Sequence, residues 1–374
     1  MRITDVRCTM LRIPDVRPIA DGTQDTLIVQ VFTDAGIVGL GEAHTSPWVA
    51  KAVIEAPLSH YMARGLREIL RGTDPLQIEQ RWDDMYRYTQ VFGRRGITLH
   101  AISAIDIALW DILGKALGQP IHALLGGARR QQLRPYASIL ALESAEAAVA
   151  RAHELVDRGF SAIKFGWSGL GHDVQRDIDT VATLRESVGA GVELMLDIGA
   201  PMERDAALRL ARGLETLDVY FLEEPLAPDD VDGYAELAAA VALPIAAGEK
   251  ETTRWGFKPF IDAHALDIVQ PDIARVGGLS EARRVADHAD LNGVRVIPHC
   301  WSTDILVAAT CHFLATRQTD TFLEYCLIDT PIRNVVAREP ILAIDGLVRV
   351  PDGPGLGIEL NLTTLERYAY ALDT

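Results

Sequence analysis

Cysteine is nearly missing from this chain. Cys8, Cys300, Cys311 and Cys326 are scattered over 374 residues without a CxxC pair, which excludes a disulfide framework and a thiolate zinc site. Basic residues are outnumbered, with 36 Lys and Arg against 52 Asp and Glu and a net charge of −16. That sign argues against nucleic acid and against an anionic membrane surface as partners. Long apolar runs are lacking as well. No stretch approaches the roughly 18 apolar residues of a membrane span. The opening "MRITDVRCTMLRIPDV" alternates like a strand and has no signal-peptide core. A reducing cytoplasm is the expected location.

The remaining composition, 48% hydrophobic and 24% charged, is that of a soluble globular protein. The length suits one large α/β unit with an attached domain. In the first 45 or so residues, "TDVRCTMLRI" alternates and "DTLIVQVFTDAGIVGLGEA" reads as a hairpin turning at Asp34-Ala35-Gly36. Helical patterns follow in "LQIEQRWDDMYRYT" and in the strongly apolar "HAISAIDIALWDILGKALG", which Gly118 closes and Pro120 follows.

From about residue 133 short apolar runs alternate with alanine-rich amphipathic segments. The runs are "LRPYASI", "SAIKFGW", "VELMLDI", "DVYFLEE", "LPIAAGE", "LDIVQPD", "VRVIPHC" and "DTFLEYC", with helices expected at 144–158, 203–216 and 279–290. Eight β-then-α units of even length predict a TIM barrel over a doubly wound open sheet. The Gly/Pro-rich tail 347–360 returns to β texture and is expected to rejoin the N-terminal domain.

Asp197, Glu223, Glu249, Asp272, His299 and Glu324 each close an apolar run, 23 to 27 residues apart. That step is one βα repeat, so all six fall at strand C-termini around one barrel mouth, where barrel active sites form. A helix N-cap or a satisfied loop carboxylate explains any one of them, but it explains six in register poorly. The carboxylates Asp197, Glu223 and Glu249 suit a hard divalent cation, Mg²⁺ rather than zinc. Asp272 beside His299 makes a general base, the carboxylate fixing the tautomer of the imidazole. Glu324 could donate a hydrogen bond to a developing anion if its pKa were raised.

At this point the chain resembles the enolase superfamily, in the mandelate racemase-like branch of the mandelate racemase/muconate lactonizing group. The resemblance runs through "AISAIDIALWDILGKALGQPIHALLGG" (101–127), "LEEP", "AGE", "QPD", "IPH", "LEY" and "PDGPGLGIEL" in order. It implies a modified TIM barrel, (β/α)7β, at 128–340. Residues 1–127 and 341–374 would together form an α+β capping domain. It also implies one Mg²⁺ per site on Asp197, Glu223 and Glu249, a His299–Asp272 dyad, an electrophilic Glu324, and abstraction of the proton α to a substrate carboxylate. A homo-oligomer, dimer to octamer, is expected.

One departure selects among reactions. The racemase-like pattern carries Lys-x-Lys on the second strand, whereas "KFG" here keeps Lys164 and puts Gly166 in the second place. Both point into the barrel. Lys164 is then the charged contact near substrate and metal, with a lysine snorkelling to the rim as the bland alternative. Gly166 supplies no second base. Racemisation needs an acid or base on each face, so a one-base reaction is expected: an acid-sugar dehydratase, aldonate or aldarate, in which His299 removes the α-proton and then protonates the departing β-hydroxyl. The alternatives are an epimerase or a lactone cycloisomerase, and a non-catalytic barrel. The last fits badly with six retained groups. Gly199, where the family often has Asn, should with Gly166 leave the pocket roomier unless Trp167 fills it.

Specificity residues are expected in two capping loops near 15–25 and 43–52, with Arg17, Asp21, His44 and Trp48 as substrate contacts. Arg94 and Arg95 could reach a distal carboxylate. Lys250 and Cys300 read as structural.

Overall fold

The computed structural model describes residues 1–371 except 20, 142, 168, 319 and 320. Three antiparallel strands, β1 (Ile3–Arg12), β2 (Asp25–Thr33) and β3 (Val38–Ala43), form one sheet in the order β1-β2-β3, with the expected turn between the last two. The helix Ile97–Leu117 packs across β3 at unusually short range. A Cβ on Gly39 or Gly41 would lie 2.1 or 1.8 Å from carbonyl oxygens of that helix, so only glycine permits this approach.

This helix corrects one expectation. It is long and apolar enough to cross a membrane, yet 83% of its apolar window is buried inside the protein. Asp106 and Asp111 explain why it stays there. Ser280 donates its hydroxyl and its backbone N–H to Asp106 at 2.6 and 3.0 Å, and Leu40 and Leu356 donate backbone N–H groups to Asp111 at 2.8 Å each. Buried carboxylates need such donors.

All eight expected strands are present: β4 (Gln132–Leu140), β5 (Ala162–Gly166), β6 (Glu193–Asp197), β7 (Val219–Glu223), β8 (Ile245–Ala247), β9 (Ile268–Val269), β10 (Arg295–Val296) and β11 (Phe322–Cys326). They pair in parallel from β10 back to β4, and β11 adds to the far side of β4. Among the described residues β10 and β11 share no ladder. The seam is crossed instead by Thr321 Oγ1 donating to Val296 O at 3.1 Å and Cys300 N donating to Glu324 Oε2 at 2.7 Å.

Closure is visible in the core. Tyr136, Ala162, Met195, Phe221, Ala246, Ile268, Ile297 and Phe322, one residue from or beside each strand, form a buried cluster of their own. Such a layer fills the inside of a barrel. The next inward-facing position lies two residues further on. Adding two gives Ser138, Lys164, Asp197, Glu223, Gly248, Gln270, His299 and Glu324. Strand periodicity therefore places five of the seven barrel groups expected at the mouth.

The expected barrel helices appear at Ala145–Asp157, Arg204–Leu214 and Gly278–Leu291. The tail serves both units. β13 (Leu347–Arg349), in a hairpin with β12 (Ala343–Ile344), pairs antiparallel with β4, so it rejoins the barrel first. Beyond it, Ile121 donates its backbone N–H to Gly355 O at 3.0 Å, and Ala369 bridges to Leu11 on β1.

Candidate active site

The strand ends open into a cavity of about 300 Å³ whose walls include Lys164, Gly166, Asp197, Glu249, His299 and, from the capping side, His44. Two linked clusters occupy its floor.

In the first, Lys164 Nζ lies 2.7 Å from Glu223 Oε2, 2.8 Å from Glu324 Oε1 and 3.6 Å from Asp197 Oδ2. All four side chains are buried. Burial opposes the ammonium, but the charges of Glu223 and Glu324 outweigh it and hold the lysine pKa well above its usual value. The carboxylates are crowded. Burial pushes Asp197 up to about 7 and Glu223 up to about 8, against the pull of Lys164.

Glu324 differs from expectation. Burial acts to raise it, but Lys164 and His299 overcome that and hold it below the carboxylate norm. Besides the lysine it accepts from Ser138 Oγ at 2.8 Å and from Cys300 N at 2.7 Å. Three donors converge on it, so the geometry places Glu324 as an acceptor rather than as the expected donor.

The second cluster is the imidazole system. His299 Nδ1 donates to Asp272 Oδ2 at 2.8 Å, while its Nε2 faces Glu249 Oε2 at 2.9 Å. Burial disfavours the imidazolium, yet Glu249, Glu324 and Asp272 raise its pKa well above normal. Burial would lift Asp272 too, but donors from His299 and His44 and the charge of Arg275 keep it well below. Arg275, three residues beyond Asp272, reaches Glu249 Oε1 at 3.6 Å and Asp272 Oδ2 at 3.5 Å.

A divalent cation suits the first cluster better than the second. His44, Asp272 and His299 do bring ligand atoms within 4.8 Å of one another. Both imidazoles, however, already spend Nδ1 on Asp272 Oδ2, and Asp272 Oδ1 accepts from Ala274 N at 2.7 Å. Asp197 Oδ1 and Glu223 Oε1, by contrast, are buried acceptors with no partner. Two orphaned carboxylate oxygens at one rim, with Glu249 on the same cavity, form an oxygen set for a hard cation.

Gly166 lines the cavity without a side chain, and even a Cβ there would be tight against Asp197, 3.1 Å from its Oδ2. The space behind Gly199 is not open, which corrects the expected roominess. A Cβ on Gly199 would fall 2.3 to 2.7 Å from the Trp167 indole. Trp167 adopts φ 59°, donates its N–H to Asp197 O at 3.0 Å, and carries Lys250 Nζ 5.2 Å from its ring centroid. Lys250 also pairs with Glu224, in keeping with its structural reading. Cys300 is buried.

The capping residues divide. Ile19, Asp21, Gly22 and His44 line the cavity. Arg17 is exposed, and its backbone is tied to Gln24. Arg94 and Arg95 are exposed as well, Arg95 Nη1 donating to Arg94 O at 2.9 Å. Trp48 lies in the helix Pro47–Glu55, edge-on to Tyr370 at 6.0 Å. None of these four reaches the cavity. Sequence reasoning missed Arg275, Ser138 and Trp301, all three on the cavity wall. Only Arg275 carried a signal, a basic residue three positions past Asp272.

Residues 8–126 match the mandelate racemase / muconate lactonizing enzyme N-terminal domain family, and residues 147–364 match the enolase C-terminal domain-like family. The chain is 34% identical to the D-galactarolactone cycloisomerase of Agrobacterium fabrum, covering 98% of this chain and 99% of that protein. It is 32% identical to the arabinonate dehydratase of Saccharolobus solfataricus, covering 94% and 93%. The crystal structure of the 3,6-anhydro-D-galactonate cycloisomerase from Zobellia galactanivorans superposes with a TM-score of 0.89 at 32% identity, over 99% of this chain and 100% of that one. From its matched domains, its barrel and these relatives, the chain belongs to the enolase superfamily, in the mandelate racemase/muconate lactonizing enzyme group.

Proposed function

We propose that this protein is an acid-sugar dehydratase that removes the proton α to a substrate carboxylate and expels the β-hydroxyl, with His299 as the single acid/base. The observation that carries this is one Asp-held imidazole on a cavity whose wall has glycine at 166, with no side chain to act as a base where the Lys-x-Lys pattern has its second lysine. Asp197, Glu223 and Glu249 would hold Mg²⁺. When bound, the cation supplies the positive charge against which a carboxylate's α-proton becomes acidic.

The other parts of the reaction belong to the chain. Glu249 is the partner that most raises the His299 pKa; engaged by the cation it would hold, it would release Nε2, and the neutral ring, its proton kept on Nδ1 by Asp272, accepts the α-proton there. The Cα–H bond breaks towards Nε2 and the Cβ–O bond breaks away from it. Hydroxide takes the proton back from the imidazolium and leaves as water. The resulting enol becomes a 2-keto-3-deoxy acid. Lys164, fixed by Glu223 and Glu324, presents its charge to the substrate carboxylate. Glu324, an acceptor, anchors that lysine.

The relatives support a second reading. Two of them are named as cycloisomerases, and ring opening of a lactone or anhydro sugar is the same elimination with a ring oxygen as the leaving group. Incubating mono- and diacid sugars and their lactones with protein and Mg²⁺, followed by mass spectrometry of the keto acids formed, separates the two. Loss of water from an open-chain acid supports the dehydratase. A keto product of unchanged mass from a ring substrate alone replaces it with the cycloisomerase.

A further inference from the structure

We propose that His44, from the capping unit, is a positioning residue for His299, acting through Asp272 and not through the substrate. The inference rests on the reading of His299 as the base.

Two imidazoles share one carboxylate oxygen. His299 Nδ1 stands 2.8 Å and His44 Nδ1 3.0 Å from Asp272 Oδ2, and the rings lie parallel within 3° at a centroid distance of 5.6 Å. The other nitrogen of His44, Nε2, faces Arg275 Nη2 at 3.3 Å. A guanidinium can only donate, so Nε2 is an acceptor and the His44 proton sits on Nδ1. That proton goes to Asp272. Both ring nitrogens are therefore spent inside the protein. Although His44 lines the cavity, it has neither a proton nor a lone pair left for substrate. Gly22 closes the same side, since a Cβ there would come 2.8 Å from Nε2.

His44 is also held rigidly, as a positioning group must be. Arg275 Nε donates to its carbonyl at 2.9 Å. Two residues earlier, Glu42 near the end of β3 accepts from Ser302 Oγ at 2.7 Å, Thr303 Oγ1 at 2.9 Å and Leu306 N at 3.1 Å. These barrel residues begin three positions after His299. The end of β3 thus grips both partners of the dyad from outside the barrel: Glu42 holds the loop after His299, and His44 holds the oxygen that orients its ring. Without the His44 donor, Asp272 Oδ2 gains rotational freedom and the plane of His299 with it.

Two measurements test this. The first needs no turnover: long-range proton–nitrogen NMR of ¹⁵N-histidine-labelled, Mg²⁺-loaded protein. The expected result is neutral His44 with its proton on Nδ1. An Nε2–H tautomer or a doubly protonated ring overturns the inference. This readout decides it even if the wild-type chain dehydrates no acid sugar, which would count against the proposed function alone.

The second is kinetic. His44→Ala is expected to lower kcat by about 10- to 100-fold while KM stays within about 3-fold, with Mg²⁺ affinity by calorimetry unchanged. His44→Asn puts an amide N–H where Nδ1 stood and should recover most of the loss. His44→Gln, which puts it where Nε2 stood, should not. Should the alanine variant not fold, the Asn and Gln variants decide between them. A raised KM at unchanged kcat, or equal impairment of Asn and Gln, overturns the inference.

Discussion

Replacing Lys164 by methionine keeps the volume of the side chain and removes its charge from three buried carboxylates. At an effective dielectric constant of about 20, the 2.7 Å contact with Glu223 alone is a gross attraction of about 6 kcal/mol. The net cost is smaller, because carboxylates deprived of a cation take up protons. Breaking a buried ion pair by deleting one partner costs about 3–5 kcal/mol. The pH dependence identifies the mechanism. Asp197 and Glu223 already sit near 7 and 8 with the lysine present, above their unfolded values. Their contribution to stability is therefore present at low pH and lost as pH rises through that range. Without Lys164 these pKa values rise further, so the folded variant holds more protons than the wild type. Each additional proton widens the stability gap by about 1.4 kcal/mol per pH unit above neutrality. The assay is denaturant unfolding in EDTA at pH 6, 7, 8 and 9, repeated with excess Mg²⁺. The gap should grow with pH and shrink with the cation, which supplies the missing charge. A gap independent of both pH and Mg²⁺ would mean that Lys164 contributes packing only, and the electrostatic account of the first cluster would be refuted.

Other consequences can be checked separately. Gly199→Ala drives a methyl into the Trp167 indole at a φ of 67°, and should cost about 1–3 kcal/mol in unfolding free energy with a raised KM; unchanged values of both would free Trp167 from its role as a cavity wall. Asp106, pushed up to about 7 chiefly by burial, favours the fold below its unfolded pKa and loses that contribution as pH climbs to 7. Asp106→Asn should therefore gain in Tm relative to wild type between pH 4 and 7 and hold level above; a difference independent of pH contradicts the burial argument.

The barrel was legible because each strand is a short apolar run and six of the functional groups each end one. Adding two to the eight residues of the inner layer lands on Lys164, Asp197, Glu223, His299 and Glu324, so period-two alternation alone puts these five at the mouth. Glu249 and Asp272 lie beyond their short strands, and the even βα step revealed them. What stayed hidden depends on neighbours distant in sequence. The pKa of Glu324 is held down, against burial, by Lys164, His299 and the Cys300 N–H, on two other segments. His44 reads as a loop residue from its "EAHTSPW" context, but β3 carries it to Asp272, 228 positions away. Trp167 could be seen as a possible plug, yet only its left-handed backbone turns the ring over Gly199. The helix Ile97–Leu117 shows the same limit for hydropathy, since its apolar surface is buried by protein and its two aspartates find their donors there.

The central claim is that one imidazole, on one face, moves the α-proton. Incubation of an acid-sugar substrate with Mg²⁺-loaded protein in D₂O, following the α-position by NMR, tests it most directly. The account predicts metal-dependent loss of the α-proton in the wild type without epimerisation of recovered substrate, and none in His299→Asn with its fold and Mg²⁺ binding intact. Exchange that persists in His299→Asn, or epimer appearing in the wild type, would contradict it.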